Sequence, residues 1–84
     1  MQQTHYLKIK KEYAGFVLTG AKTFEIRKND RDYQVGDLVK FNVIDADLEM
    51  PGFYLITYVL KGVPQYGLSD DYVVFSIKKI WKGE

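Results

Sequence analysis

The stretch from Gly20 to Asp37, GAKTFEIRKNDRDYQVGD, decides how this chain is read. It opens on a glycine suited to ending a helix and passes into the alternating run Thr23-Phe24-Glu25-Ile26-Arg27. It then crosses a charged, turn-rich loop and launches another strand after Val35-Gly36-Asp37. A switch from helical to two-residue period marks a helix feeding a β-sheet. No other stretch packs so many polar groups of both signs into so few residues, so a site is expected here.

Upstream, His5 to Lys10 alternates, with Leu7 and Ile9 on one face and Tyr6, Lys8 and Lys10 on the other, which predicts a half-buried strand. His5 reads as a surface histidine at the strand end. From Lys11 to Thr19, Tyr13, Phe16, Val17 and Gly20 follow an i, i+3, i+4, i+7 pattern, the stripe of a short amphipathic helix. Glu12 suits the positive end of the helix dipole. Gly20 suits a left-handed C-terminal stop.

Downstream, Thr23 to Arg27 is expected to turn Phe24 and Ile26 to the core and Thr23, Glu25 and Arg27 to the opposite face. Asn29-Asp30 and Gly36-Asp37 are turn signals. Leu38 to Ile44 reads as a strand with Val39, Phe41 and Val43 inward. Asp45, Asp47 and Glu49 read as solvated loop acids, because a calcium loop needs a denser set of oxygen ligands. Phe53 to Lys61 is apolar on both faces and predicts a central strand. Gly62 to Leu68 is a loop with room for one turn, and Tyr72 to Trp81 is a last strand burying Val73, Phe75 and Ile77. One helix among so many strands predicts a mainly β fold: a small mixed barrel of about five strands capped by that helix.

The totals agree with a single folded domain spanning residues 1–84. Of the 84 residues, 46% are hydrophobic and 15% aromatic, which is too apolar for a disordered chain. With no cysteine, disulfides and thiolate metal sites are excluded, and one histidine argues against an imidazole metal site. No metal or cofactor is expected. No apolar run is long enough to span a bilayer or to resemble a signal peptide, so the expected address is cytoplasmic. A net charge of +1 is not the footprint of a strong, non-specific nucleic-acid binder, but it leaves room for a local basic patch.

Within the opening stretch, Lys22, Glu25 and Arg27 carry the chemistry. Residues two apart on one strand face stand about 7 Å apart. Glu25 and Arg27 can therefore share a ligand or join Lys22 in an ion-pair network sealing the barrel end; the residues alone leave both open. A guanidinium grips an oxygen or phosphate in a fork, while a carboxylate accepts from an amine.

Gly20-Ala21-Lys22-Thr23-Phe24-Glu25-Ile26-Arg27 reads G-x-K-x-x-E-x-R, and it resembles the signature of activating-signal-cointegrator homology (ASCH) domains in the PUA-like superfamily. His5 to Ile9, Lys28-Asn29-Asp30-Arg31, Val35-Gly36-Asp37, Ile56-Thr57-Tyr58 and Gly67-Leu68 extend the likeness toward a branch of small bacterial and phage-borne proteins. The resemblance implies a β-barrel that recognises RNA or a modified nucleoside in a cleft between helix and barrel. Lys22, Glu25 and Arg27 would line that cleft, with Lys28, Asn29 and Arg31 nearby. One branch implies catalysis instead: an amidohydrolase removing acyl groups from a modified cytidine with a Lys, a Thr and a later Glu. Here Lys22 matches, Glu25 occupies the Thr position and Thr23 lies two residues earlier on the same face. Only Asp70 and Asp71 could stand in for the later acid. A third implication is a phage-type protein-interaction domain in which the motif is purely structural.

RNA binding draws on basic groups along the backbone and on aromatics that stack on bases. Tyr6, Tyr33, Tyr54, Tyr58, Tyr66 and Trp81 are the outward aromatic candidates. Tyr33 and Tyr66 stand out because they sit in loops. The basic ends Lys8-Lys10-Lys11 and Lys78-Lys79-Lys82 would form one patch if the first and last strands were neighbours.

Overall fold

A computed structural model of the chain describes residues 1–80. The elements run in the order β1 (Thr4–Ile9), α1 (Lys11–Thr19), β2 (Phe24–Lys28), β3 (Leu38–Val43), β4 (Leu48–Glu49), β5 (Phe53–Leu60), a 3-10 turn (Pro64–Tyr66) and β6 (Tyr72–Ile80). The fold is mainly β with one α-helix, as the alternating runs predict. The strands form one curled six-stranded sheet, a half-barrel, in the order β1-β3-β5-β6-β2, with the two-residue β4 added to β3. β1 pairs with β3 in parallel, and the other pairings are antiparallel.

The concave face holds the core. Val39, Ile56, Val73 and Phe75 are fully buried, with Leu7, Ile9, Phe41 and Val43 close behind. Burying a side chain of this size contributes about 1.5–3 kcal/mol. The expected inward residues of β1, β3 and β6 are those observed. In β5, Tyr54 and Ile56 face inward, and then a bulge at Thr57 shifts the register so that Val59 packs on the core. Such an insertion bends the strand and increases the twist that the curled sheet requires.

Three expectations are corrected. On α1 the buried residues are Ala14 and Val17, whereas Tyr13 and Phe16 are exposed, so the helix lies against the sheet on a narrower stripe than its apolar spacing predicts. On β2 the alternation is reversed: Glu25 is 4% exposed, while Phe24 and Ile26 are 43% and 57% exposed. His5 is buried, not at the surface. The β2 and His5 corrections share a physical origin: a polar side chain goes inside when hydrogen-bond partners satisfy it there, Lys22 and Arg27 for Glu25 and the distant Asp37 for His5.

Loop features behave as their residues dictate. Gly20 ends α1 at φ 84 and donates its N–H to the Val17 carbonyl. Asp45 accepts a hydrogen bond from the Lys11 N–H at 2.7 Å, satisfying one open donor at the start of the helix. Lys40 reaches over the Phe53 ring and donates to the carbonyls of Met50 (2.7 Å) and Gly52 (2.8 Å), fixing the turn before β5. Among the described residues, no helix is long and apolar enough to cross a membrane.

Candidate functional site

The sheet order leaves β1 and β2 as its two edges. Between them, with α1 alongside, lies an open cleft of about 510 Å³ lined by Lys8, Ile9, Lys10, Tyr13, Lys22, Phe24, Glu25, Ile26 and Arg27. The half-barrel creates this cleft where it fails to close. Strand alternation gives it a polar rim of backbone. The Ile77 N–H donates to the Thr23 carbonyl and the Asn29 N–H to the Asp71 carbonyl, so the odd residues of β2 bond to β6. The backbone groups of Ile26 are therefore directed toward the free edge. By the same alternation Lys8 of β1 turns its backbone groups away from β3.

Glu25 is the centre of the cluster. It is held inside β2 opposite Phe75 and receives two cations. Lys22 Nζ contacts Glu25 Oε2 and donates to the Phe24 carbonyl at 2.7 Å. Arg27 donates to Glu25 Oε1 from Nε at 3.0 Å and from Nη2 at 2.8 Å. Both carboxylate oxygens are thus engaged, and Glu25 fixes the two cations at the cleft. The bond count shows what remains. Arg27 keeps both N–H groups of Nη1 and one of Nη2, and Lys22 keeps one of its three. Lys22 and Arg27 stay 21% and 23% exposed at their side chains, so those donors reach the cleft. The ion-pair network anticipated as a seal does form, but beside an open cavity.

Lys22 Nζ also lies 5.0 Å from the Phe24 ring centroid and 5.9 Å from that of Tyr13. With Lys8 and Lys10 at the rim, the cleft holds four basic groups against one carboxylate. Its electrostatics favour an anion, and the flanking Tyr13 and Phe24 rings offer faces to a planar group.

The other expected site residues are distributed differently. The structure brings Lys22, Glu25 and Arg27 together, but Lys28, Asn29, Arg31, Tyr33 and Tyr66 do not line the cleft. Lys28 Nζ sits 5.8 Å from the Tyr72 ring centroid, the Asn29 N–H is used by Asp71, and Arg31 Nη1 reaches the Tyr6 carbonyl at 3.4 Å. Tyr66 is 81% exposed on the 3-10 turn. Tyr33 is corrected outright: it is buried, its ring 4.7 Å from both His5 and Phe75, and has no face left for a base. Burial pushes its phenol pKa up, against the opposing pull of the Arg31 and Arg27 charges. Tyr54 is likewise buried, whereas Tyr6 and Tyr58 are exposed.

Thr23 faces a separate recess under the end of α1. Asp71 lies opposite Asn29, six residues along the strand from Thr23, or about 20 Å at the usual rise. Neither it nor the adjoining Asp70 comes near Lys22. The anticipated merging of basic ends is also corrected, because β3 and β5 separate β1 from β6. Lys8 and Lys10 instead join the motif cations. Their alternation on β1, with Tyr13 three residues after Lys10, was the available signal. Trp81 and Lys82 lie outside the described residues.

Asp37 is a second buried carboxylate. Asp37 Oδ2 is 2.8 Å from His5 Nε2 and accepts from the Gln34 N–H at 3.1 Å, and Oδ1 accepts from the Gln3 N–H at 3.1 Å. Burial alone would push the Asp37 carboxyl up. The His5 hydrogen bond, the two backbone donors and the His5 charge outweigh it and hold the pKa below the ordinary value. Among the described residues, no group of three His, Asp or Glu could hold a metal ion.

No curated protein matches the chain. Residues 4–77 match the family model described as a domain of unknown function, DUF3850, and the chain, cleft and motif included, belongs to that family.

Proposed function

We propose that this domain is a binding module that recognises RNA or a nucleotide-like ligand in the cleft between β1 and β2. The observation that carries the reading is the Lys22–Glu25–Arg27 cluster. A buried carboxylate holds two cations in fixed geometry, with spare N–H donors directed at an open cavity of about 510 Å³. Donors fixed in advance lose little conformational freedom on binding, and Arg in particular forks onto phosphate or carbonyl oxygens.

The remaining lining completes the recognition chemistry. Lys8 and Lys10 add charge for a phosphate, the Tyr13 and Phe24 rings can stack on a base, and the edge backbone of Ile26 can read the base's polar rim. The likeness of the G-x-K-x-x-E-x-R stretch to ASCH domains supports the same ligand class. A protein of small net charge with one local basic cleft suits a site for a short single-stranded or nucleoside-sized ligand more than a duplex-coating surface.

Filter binding of short RNAs at two salt concentrations tests this. Binding is expected at low salt, weaker at high salt, and reduced by Lys22→Ala and Arg27→Ala. Absence of binding by the wild type at low salt would overturn the reading.

A further inference from the structure

We propose that the convex face of β2, β6 and β5 is a stacking platform for the bases of a single-stranded nucleic acid, continuous with the β1–β2 cleft through Phe24. The proposal rests on the nucleotide reading of that cleft and extends it from a single nucleotide to a chain.

The carrying observation is a set of rings and aliphatic side chains on the side of the sheet turned away from the core. Strand register lays them out in rows. Tyr58 and Phe24 flank Ser76, Leu60 and Ile26 flank Val74, and Tyr72 stands beside Lys28. Cross-strand partners of this kind share one face. Tyr58 is 62% exposed, Phe24, Ile26, Leu60 and Tyr72 are exposed as well, and Val74 is half-buried. The helix gives them no cover, because α1 buries Ala14 and Val17 in the core on the opposite side. A contiguous apolar patch on so small a domain marks an interaction surface.

Charge decides the partner. Among the described residues, the outward positions of these three strands carry Lys28 and Lys78 and no Asp or Glu. Both lysines are exposed, and neither is paired with a carboxylate of the described residues. The acids Asp70 and Asp71 lie in the loop ahead of β6. A second copy packed face to face would set positive charge against positive with no carboxylate to pair it. Protein interfaces are also depleted in lysine. An anionic strand meets neither obstacle, and a nucleic acid supplies both what the lysines need and flat rings for Tyr58, Phe24 and Tyr72. Tyr58 and Phe24 stand two strands apart, roughly 10 Å, so each serves a different base. Lys28 Nζ, 5.8 Å from the Tyr72 ring centroid, sets a cation beside the third ring.

Phe24 joins this face to the cleft. It lines the cleft, with its ring centroid 5.0 Å from Lys22 Nζ, and its register with Ser76 puts it in line with Tyr58. Cleft and convex face thus form one track. One nucleotide sits on the Lys22–Arg27 cluster, and the bases that follow lie over β6 and β5.

Tyr58→Ala tests the proposal, because so exposed a ring can be removed with little effect on the fold. Affinity for a single-stranded RNA hexanucleotide should fall at least about fivefold, the loss of one stacked base, while affinity for a nucleoside monophosphate stays within about twofold of the parent. Tyr58→Phe keeps the stacking face and should bind as the parent does. Lys78→Gln should weaken the hexanucleotide alone and lower its salt slope by about 0.7. Unchanged hexanucleotide affinity in Tyr58→Ala, or equal losses for both ligands, would overturn the proposal while leaving the cleft reading intact. A parent that sediments as a dimer beside a monomeric Tyr58→Ala variant would assign the face to a second copy, and would overturn it too. A parent protein that binds neither ligand removes both readings.

Discussion

Two buried carboxylates, Asp37 and Glu25, are satisfied in different ways. Asp37 is 2% exposed and closed: its donors are the His5 ring and the backbone N–H groups of Gln3 and Gln34, which tie the N-terminal segment to the turn before β3. Glu25 is nearly as buried, but its donors are long cationic side chains that keep a fifth of their surface in an open cleft. Backbone donors can do nothing but hold the fold. Lys22 and Arg27 have donors to spare, and a network with spare donors beside a cavity can bind something. The comparison separates a structural cluster from a functional one within a single small domain.

Breaking the closed cluster should have the largest effect. Asp37→Ala leaves the His5 ring and two backbone donors without their acceptor in a buried place. The expected loss is about 3–5 kcal/mol, typical for removing one partner of a buried pair. Urea unfolding would read it as a lower midpoint. A loss below about 1 kcal/mol would mean that Asp37 is no more than a turn residue.

Opening the other cluster should cost affinity instead. Arg27→Ala removes a partly exposed cation that is one of two on Glu25, so the fold tolerates it better. The ligand loses a charge-assisted contact of about 1.5–3 kcal/mol, roughly tenfold or more in affinity. Titration calorimetry and melting of the same variant would separate the two effects. Equal falls in stability and binding would place Glu25 with Asp37, as structure alone.

Why the two clusters were not equally legible follows from where their partners sit. Lys22, Glu25 and Arg27 are neighbours in sequence, so a short motif locates the site. His5 and Asp37 are 32 residues apart, and nothing local to either announces the pair. The face of β2 was misread for a related reason. Phe24 and Ile26 are more hydrophobic than Glu25 and Arg27, and periodicity alone puts them inside. Inside the half-barrel the Lys22–Glu25–Arg27 network satisfies itself, so the strand can present its polar face inward and its apolar one outward. Strands β1, β3 and β6 follow their alternation because their inward faces are apolar apart from His5 and, at the end of β6, Lys79. Tyr33 was drawn to the surface by the charged loop around it, yet its ring fills the space between His5 and Phe75.

Acid should loosen the closed cluster. The Asp37 pKa is lowered in the folded protein from an ordinary value of 3.8. A carboxyl whose pKa is lower when folded contributes stability that is fully present above the unfolded value and is lost as pH falls through the folded one. Stability should therefore drop below about pH 4, and Asp37→Asn should flatten that limb. Unfolding free energies measured from neutral pH down to about pH 3 would show it, and an acid limb unchanged in the variant would exclude Asp37 as its source.

The turn that delivers Asp37 offers a smaller test. Gly36 sits at φ 97 with open space where a side chain would go, so Gly36→Ala meets no clash but must adopt a left-handed backbone. The cost is about 1–2 kcal/mol of strain, read as a modest fall in melting temperature with ligand affinity unchanged. A larger fall would mean that the turn had shifted and pulled Asp37 from His5.

Tyr66 should show the smallest effect, and it probes the edge of the functional region. By sequence it is an attractive stacking residue, an aromatic in a loop. In the structure it is exposed on the Pro64–Tyr66 turn between β5 and β6, outside the lining of the cleft and of the recess under α1. Tyr66→Ala should change stability by less than about 0.5 kcal/mol, as surface substitutions usually do. Affinity for a mononucleotide should stay within twofold of the parent. A longer single strand running past the Lys28 end of β2 is the one ligand that could meet this ring, so the same variant measured against strands of increasing length defines how far the binding track extends. If even a mononucleotide binds more weakly, the ligand lies against the β5–β6 turn, and the open cluster around Glu25 is not its anchor.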